Sequence, residues 1–142
     1  VIRYRTRDIC SLNYEKCTCG RTFVRMNKPT GRSDDMLIIR GVNVFPSQIE
    51  EVLLRVGGNV TPNYQILVGR ENNTDTLEVL VEMSDKLFAD DIKSIEKIER
   101  SIKEQLRSVL GLSAKVRLVS PKSIERSEGK AKRVIDTRKL VD

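Results

Sequence analysis

The sequence contains no histidine, few aromatic residues and no long apolar run, and each shortage excludes a class of function. Without histidine, no imidazole is present to activate a nucleophile, and no glycine-rich phosphate loop of the usual spacing is visible. No apolar run reaches the length of a membrane span, and no basic stretch followed by an apolar segment resembles a signal peptide. We therefore expect a cytoplasmic protein without a membrane partner, whose chemistry is shared with residues outside this chain.

The shortage of aromatic residues bears on nucleic-acid binding, which the charge alone would allow. The chain carries 26 Lys and Arg against 20 Asp and Glu, and its net charge of +6 favours an anionic partner such as a nucleotide, coenzyme A or a nucleic acid. Modules that bind single-stranded RNA stack bases on exposed aromatic side chains. Among the candidate sheet strands, only Tyr64–Gly69 carries an aromatic residue. A basic α+β RNA-binding module is therefore the alternative function, and we expect no nucleic-acid partner.

Three cysteines, Cys10, Cys17 and Cys19, lie in one short stretch. An odd number of cysteines is a poor disulfide framework and fits a reducing compartment. Their spacing is tight enough for the three thiols to share one metal ion. Structural zinc takes four ligands, so a fourth would have to come from outside this chain. Bound zinc and free thiols therefore both remain open.

The first third of the chain predicts a small appendage to a single core, which is what 142 residues can bury. Val1–Ile9 and Arg21–Arg25 predict two short strands around the cysteine-bearing loop, forming a β-hairpin. Because the chain begins inside a predicted strand, we interpret it as a fragment of a longer protein. Lys28–Arg32 contains proline and glycine, which break regular structure, so we place a boundary near Ser33 and Asp34.

The residues after the boundary predict a hairpin and then a helix. Met36–Ile39 is a short apolar run and Gly41–Val44 follows it, which predicts a hairpin whose tip carries Arg40 and Gly41. Pro46 suits the first turn of a helix, and Ser47–Glu50 has the spacing of a capping box, while a cap one residue earlier fits the sequence equally well. Apolar residues then recur at helical spacing until a pair of glycines stops the run.

The remaining pattern completes an α+β fold. Tyr64–Gly69 and Thr76–Met83 predict an antiparallel hairpin, and Asp91–Leu110 predicts a long helix with one apolar side. Ala114–Val119 predicts a last strand, and a small apolar segment, Val134–Ile135, follows an irregular polar stretch. This order predicts a small, mostly antiparallel sheet with two helices on one face, preceded by the short β-hairpin.

Four short motifs carry side chains suited to chemistry, although each alone has an ordinary structural explanation. Tyr4–Asp8 ends in an aspartate able to accept hydrogen bonds from sugar hydroxyls, or is a solvated strand end. Gly31–Asp35 is a polar turn. In Ile38–Pro46, glycine lets the backbone approach a ligand, or closes a tight turn. Arg126–Arg133 sets a lysine beside a glycine, where it could aim a cation at a phosphate, or is a solvated basic tail.

In this order and at these intervals, the four motifs resemble the closing motifs of adenylate-forming enzymes. Within that superfamily, Cys19–Thr22 and Ser33–Pro46 resemble the phenylacetate–CoA ligases, and the resemblance covers essentially the whole chain. It implies that a carboxylate attacks the α-phosphate of ATP, giving an acyl-adenylate and pyrophosphate, after which the thiol of coenzyme A displaces AMP. The implied cofactors are ATP, Mg²⁺ and coenzyme A, and the implied substrate is an aryl carboxylate such as phenylacetate.

The resemblance also implies a division into two domains. Residues 1–33 would end a large N-terminal adenylating domain, and residues 34–142 would form a mobile C-terminal lid that rotates about Asp34 between the half-reactions. Asp8 would hold the ribose hydroxyls, and Arg32 would lie near the nucleotide. The implied partners are the protein's own N-terminal domain and small molecules, a homodimer is left open, and this chain alone is expected to be inactive.

Lys130 is the adenylation lysine that the resemblance implies, placing a cation where negative charge grows between carboxylate and α-phosphate. Gly41 would lie on the loop that replaces this lysine after rotation, where its missing side chain leaves room for the pantetheine arm. Arg40 and Asn43 are further candidates for contacts with coenzyme A. Members of the family usually carry histidine in place of Asn63, so a role tied to that histidine is not carried over.

Overall fold

The computed structural model describes residues 3–125 and 133–138. It contains ten strands and three helices in these residues. In chain order they are β1 (Asp8–Ile9), β2 (Leu12–Asn13), β3 (Arg25–Met26), β4 (Gly31–Arg32), β5 (Leu37–Ile39), β6 (Val42–Val44), α1 (Pro46–Val56), β7 (Val60–Glu71), β8 (Thr74–Met83), α2 (Asp85–Phe88), α3 (Ile92–Leu110), β9 (Lys115–Val119) and β10 (Val134–Asp136).

The N-terminal segment is less regular than its sequence predicted. β1 pairs with β4 and β2 pairs with β3, both antiparallel and each only two residues long. The predicted strands Val1–Ile9 and Arg21–Arg25 are therefore wrong in extent. Arg3 and Arg7 have φ angles of 60° and 65°, in the left-handed region, and this conformation interrupts an extended strand. A hairpin around Cys17 and Cys19 does form, between β2 and β3, whereas Cys10 lies before it.

The hairpin of β5 and β6 has its tip at the predicted residues. Leu37 pairs with Val44 and Ile39 pairs with Val42, so Arg40 and Gly41 form a two-residue connection. Both residues have positive φ, 52° and 77°, which is the conformation that matches the twist of a tight hairpin. Glycine suits the second position because it adopts this φ without a steric cost.

Helix α1 begins at Pro46, as its sequence predicted, but the predicted capping box of Ser47 and Glu50 is wrong. The residue that caps the helix is Phe45, whose backbone N–H donates to Oε1 of Gln48 at 2.9 Å. The phenylalanine side chain has no acceptor, so only one half of a capping box is formed. Proline in the first turn tolerates this because it has no N–H to satisfy.

The main sheet has the order β10-β7-β8-β9. The central pair β7 and β8 is antiparallel, while β9 and β10 run parallel to their neighbours. Four of the six strand pairings in the described residues are antiparallel, and the predicted α+β class is confirmed. The apolar segment at residues 134–135, left without an assignment by the sequence, becomes the edge strand β10. The short helix α2 was also not predicted.

One hydrophobic core holds this sheet to α1 and α3, which contact each other on one sheet face. Helix α3 contributes Ile102, Leu106 and Leu110, and the sheet contributes alternate residues such as Ile66 and Val79. Alternation places every second strand residue against the helices, and burial of these side chains supplies the main stabilisation. No helix in the described part of the chain is long and apolar enough to cross a membrane.

Candidate functional site

Strands β1 and β4 bring three predicted site residues together. Asp8 lies opposite Arg32 in the antiparallel pair, and the Ser33 N–H donates to the Arg7 carbonyl at 2.7 Å. The Arg32 guanidinium donates two hydrogen bonds to the Asp34 carboxylate, from Nε at 3.0 Å and from Nη2 at 2.9 Å. Nη1 of Arg7 lies 3.7 Å from the same carboxylate. The predicted nucleotide contacts and the predicted hinge are therefore immediate neighbours.

These contacts shift the pKa values of both Asp34 and Arg32. The hydrogen bond from Arg32 lowers the pKa of Asp34. The hydrogen bond to Asp34, assisted by the charges of Asp35 and Asp8, raises the pKa of Arg32. The guanidinium is thus already engaged by a carboxylate, and a nucleotide contact through its side chain requires this pair to open or to share its donors.

The hairpin tip of Arg40 and Gly41 forms a second, separate feature. Gly41 is exposed, and no atom lies within 4 Å of the position that a Cβ would take. Asn43 is also exposed, in β6 opposite Ile38. The tip therefore offers an open backbone surface to a ligand, and its three predicted residues share one edge of the molecule.

Contacts from Asp75 hold this tip, and the sequence did not indicate them. The Arg40 N–H donates to Asp75 Oδ2 at 3.3 Å, and Arg40 Nε donates to the Asp75 carbonyl at 2.7 Å. Nη1 of Arg138 lies 3.0 Å from Asp75 Oδ2 and donates to the Ile38 carbonyl at 2.7 Å. The sequence placed Asp75 only between the two predicted strands Tyr64–Gly69 and Thr76–Met83, and its partners are 35 and 63 residues away in the chain.

Lys130 lies outside the described residues, as does most of its motif. The motif's last residue, Arg133, is described, and its Nη1 lies 2.9 Å from Oε1 of Glu50 and 3.2 Å from the Tyr64 hydroxyl. Burial and the charge of Glu50 raise the pKa of Tyr64, so the phenol stays protonated at neutral pH. The C-terminal end of the lysine motif is therefore tied to α1 and β7.

Asn63, where the resemblance implies a histidine, lies beside a buried carboxylate. Its Nδ2 is 3.3 Å from the Thr61 hydroxyl and 3.5 Å from Oε1 of Glu82, which is 1% exposed. An asparagine amide donates to this carboxylate without titrating near neutral pH, unlike a histidine. The position thus keeps a hydrogen-bond donor and loses a titratable group.

The cysteines do not assemble into a metal site within the described residues, where no group of three or more His, Cys, Asp or Glu is placed to hold an ion. Sγ of Cys19 lies 3.2 Å from Sγ of Cys17. Hydrogen bonding from Cys19 lowers the pKa of the Cys17 thiol. Two adjacent thiols do not by themselves fit a four-ligand zinc site, so zinc at these residues and Cys10 stays a prediction.

The sheet does not offer the aromatic platform that an RNA-binding module needs. Tyr64 is 3% exposed, and the guanidinium carbon of Arg133 lies 4.8 Å from its ring centroid. A base cannot stack on a ring that is already covered. The alternative function predicted from charge and fold order therefore finds no support.

Comparisons with known proteins agree with these motifs. Phenylacetate-coenzyme A ligase from Thermus thermophilus is 45% identical over 98% of this chain and 34% of its own length, so the chain spans about a third of that curated relative. A solved domain of phenylacetate-coenzyme A ligase from Bacteroides vulgatus is 36% identical with a TM-score of 0.68, over 74% of this chain and 94% of that domain.

A further solved structure covers both the N-terminal segment and the main sheet. 2-Hydroxyisobutyryl-CoA ligase in its postadenylation state has a TM-score of 0.80 at 36% identity, over 95% of this chain and 28% of its own. The same ligase in its thioesterification state has a TM-score of 0.70 at the same identity and coverage. A family model described as AMP-binding enzyme C-terminal domain matches residues 41–138. Since this match covers more than half of the sequence, the chain belongs to the AMP-binding enzyme C-terminal domain family.

Proposed function

We propose that this chain is the C-terminal part of a cytoplasmic, ATP-dependent aryl-acid–CoA ligase that converts phenylacetate, ATP and coenzyme A to phenylacetyl-CoA, AMP and diphosphate. The observation that carries the proposal is relatedness to a phenylacetate-coenzyme A ligase over 98% of the chain. That span includes the segment with Asp8 and Arg32, the hairpin tip with Gly41, and Lys130. The rest of the longer protein would supply the acid pocket and most of the ATP site. Homodimer assembly stays a prediction.

The proposed domain boundary is supported by burial. Residues 1–33 would belong to the adenylating domain and residues 34–142 to the lid, with Asp34 as hinge. Among the described residues, the first buried one is Ile39, so the N-terminal segment adds nothing to the core. The side chain of Asp34 bonds to Arg32 and lies near Arg7, both on the N-terminal side of the boundary. A rotation beginning after Asp34 would leave these contacts intact.

Rotation of the lid is supported by the two states of 2-hydroxyisobutyryl-CoA ligase. The match falls from a TM-score of 0.80 to 0.70 between them, although identity and coverage are the same. A different arrangement of the two portions of that ligase in its two states would produce such a fall, which is consistent with the proposed rotation.

In the proposed reaction, two features of the lid act in turn. Lys130 would stabilise the charge that develops on the α-phosphate during adenylation, an electrostatic role without proton transfer. After rotation, the Gly41 tip would border the path of the pantetheine arm. The proposed Mg²⁺ would bind mainly through the substrate phosphates and one or two carboxylates.

The test separates the two half-reactions in the full-length protein. Lys130→Ala should slow acid-dependent pyrophosphate release by about a hundredfold to a thousandfold, the usual cost of one preorganised transition-state donor. Thioester formation from supplied phenylacetyl-adenylate should survive. Lys97→Ala, which removes an exposed lysine from α3, is the matched control and should change neither rate.

Gly41→Leu should give the opposite result, sparing pyrophosphate release and blocking thioester formation. Because Gly41 has a φ of 77°, any side chain there strains the backbone, so Gly41→Ala is the matched control for strain without bulk. A larger loss for leucine than for alanine would indicate a blocked path. If Lys130→Ala impaired both half-reactions equally, or neither, the rotating-lid function would be wrong for this protein.

A further inference from the structure

Asp75 gathers three arginines from three parts of the chain. Its carboxylate is 14% exposed and contacts the backbone N–H of Arg40, Nε of Arg70 at 3.2 Å and Nη1 of Arg138 at 3.0 Å. The hydrogen bond from the Arg40 N–H lowers the pKa of Asp75, and Arg70 and Arg138 lower it further. The carboxylate therefore stays ionised over the physiological range and acts as a fixed acceptor.

Arg138 links the same carboxylate to the other side of the hairpin tip. Its Nη1 donates to the Ile38 carbonyl at 2.7 Å, one residue before the connection begins. Its Nε and Nη2 are held by Asp136, at 3.0 Å and 2.7 Å. A guanidinium bound in this way has few alternative orientations, since all three of its nitrogens are engaged. The end of β10 is thus joined to β5 through one side chain.

These bonds act on a connection that has little other support. Arg40 and Gly41 are exposed, and the open space around Gly41 leaves the tip without packing on that side. Arg40 also adopts a φ of 52°, which is unfavourable for a residue with a side chain. Such a conformation persists where surrounding contacts impose it. Here the imposing contacts come from Asp75 and Arg138.

We propose that Asp75 and Arg138 are positioning residues for thioester formation: they hold the Arg40–Gly41 connection in the shape that admits the thiol arm of coenzyme A. This inference rests on the proposed function. In that step the thiol sulfur bonds to the acyl carbon, the bond from that carbon to the phosphate oxygen breaks, AMP leaves with the electron pair, and the thiol proton is released. Neither residue touches the reacting atoms, and adenylation does not depend on them.

The experiment measures both half-reactions in the full-length enzyme with Asp75→Asn and Arg138→Gln. Thioester formation from supplied phenylacetyl-adenylate should fall by about tenfold to a hundredfold, the scale on which a misplaced group slows a reaction. Acid-dependent pyrophosphate release should stay at the wild-type rate. Arg70→Gln is the matched control, because it removes a cation from the same carboxylate without touching the connection. It should leave both rates unchanged.

A double variant separates positioning from general loss of stability. If Gly41→Leu already blocks the pantetheine path, adding Asp75→Asn should produce no further loss in thioester formation, whereas independent effects would multiply. Should Asp75→Asn fail to fold, Arg138→Lys keeps the charge but loses the fork, and it should show the same selective loss. Equal loss in both half-reactions, or no loss, would overturn the inference. If Gly41→Leu itself spares thioester formation, the proposed function fails instead.

Discussion

The N-terminal segment, residues 3–33, and the core-forming region, residues 39–116, both carry apolar side chains but have very different structures. In the first region Phe23 is 80% exposed and Tyr4 is 77% exposed, whereas in the second Ile102 and Ile66 are fully buried. Strands β1–β4 of the N-terminal segment have two residues each, while β7 in the core-forming region has twelve. Apolar side chains alone do not make a strand regular, because a strand is stabilised by a neighbour and by a surface that covers one face.

The difference indicates that, within the described residues, the N-terminal segment lacks a surface that covers its apolar side chains. Exposed apolar side chains concentrate in this region and include Tyr4, Leu12, Tyr14, Phe23, Val24 and Met26. Where such side chains form a contiguous surface, they mark contact with another part of a protein or a partner. The chain spans about a third of its Thermus thermophilus relative. We therefore propose that the N-terminal domain of the longer protein covers these side chains.

The largest expected effect concerns the core. Ile102→Ala in this chain should lower the free energy of unfolding by about 2 to 5 kcal/mol, because it leaves a cavity under α3. Phe23→Ala should change it by less than about 0.5 kcal/mol, as surface substitutions do. Urea denaturation followed by circular dichroism measures both. A comparable loss for the two variants would mean that the N-terminal segment belongs to the same cooperative unit.

A smaller effect is expected at the start of α3. The Asp91 side chain accepts a hydrogen bond from the Ser94 N–H at 2.8 Å and caps the helix. Asp91→Ala should therefore lower the free energy of unfolding by about 1 kcal/mol. The control is Asp35→Ala, which changes an exposed aspartate just after the N-terminal segment and should have almost no effect on thermal melting. If both changes were neutral, the cap would contribute nothing.

The smallest effect concerns the pair at the boundary. The pKa of Asp34 is lowered by Arg32, so the interaction is present above the ordinary aspartate pKa and is lost as pH falls through the lower, folded-state pKa. Arg32→Gln should move the carboxyl titration midpoint of Asp34 upward, measured by carbon NMR. Asp91 titrates low because of its helix cap and should keep its midpoint. An unchanged Asp34 midpoint would mean that the pair does not persist in solution.

Periodicity predicted which elements carry the core, although β7 begins four residues before and ends two residues after the predicted Tyr64–Gly69. The two long helices and the β7–β8 hairpin follow from apolar spacing, because each has one face buried and the other in water. The short strands were predicted less well. Residues 1–9 alternate enough to suggest a strand, yet left-handed conformations at Arg3 and Arg7 interrupt it. Strand β10 has three residues and forms because it pairs with the edge of β7. A pairing between distant residues cannot be predicted from a local pattern.

By itself, the sequence determined the fold class, the hairpin tip at Arg40 and Gly41, and the resemblance from which Asp8, Arg32, Asp34 and Lys130 were assigned. These features depend on spacing between nearby residues or on motif order, both of which are readable along the chain. Only the tertiary structure decided that Asp75 and Arg138 would hold that tip, and that Glu50 and Tyr64 would accept hydrogen bonds from Arg133. A hydrogen bond depends on distance and angle in space, and these partners are separated by 35 to 83 residues of chain.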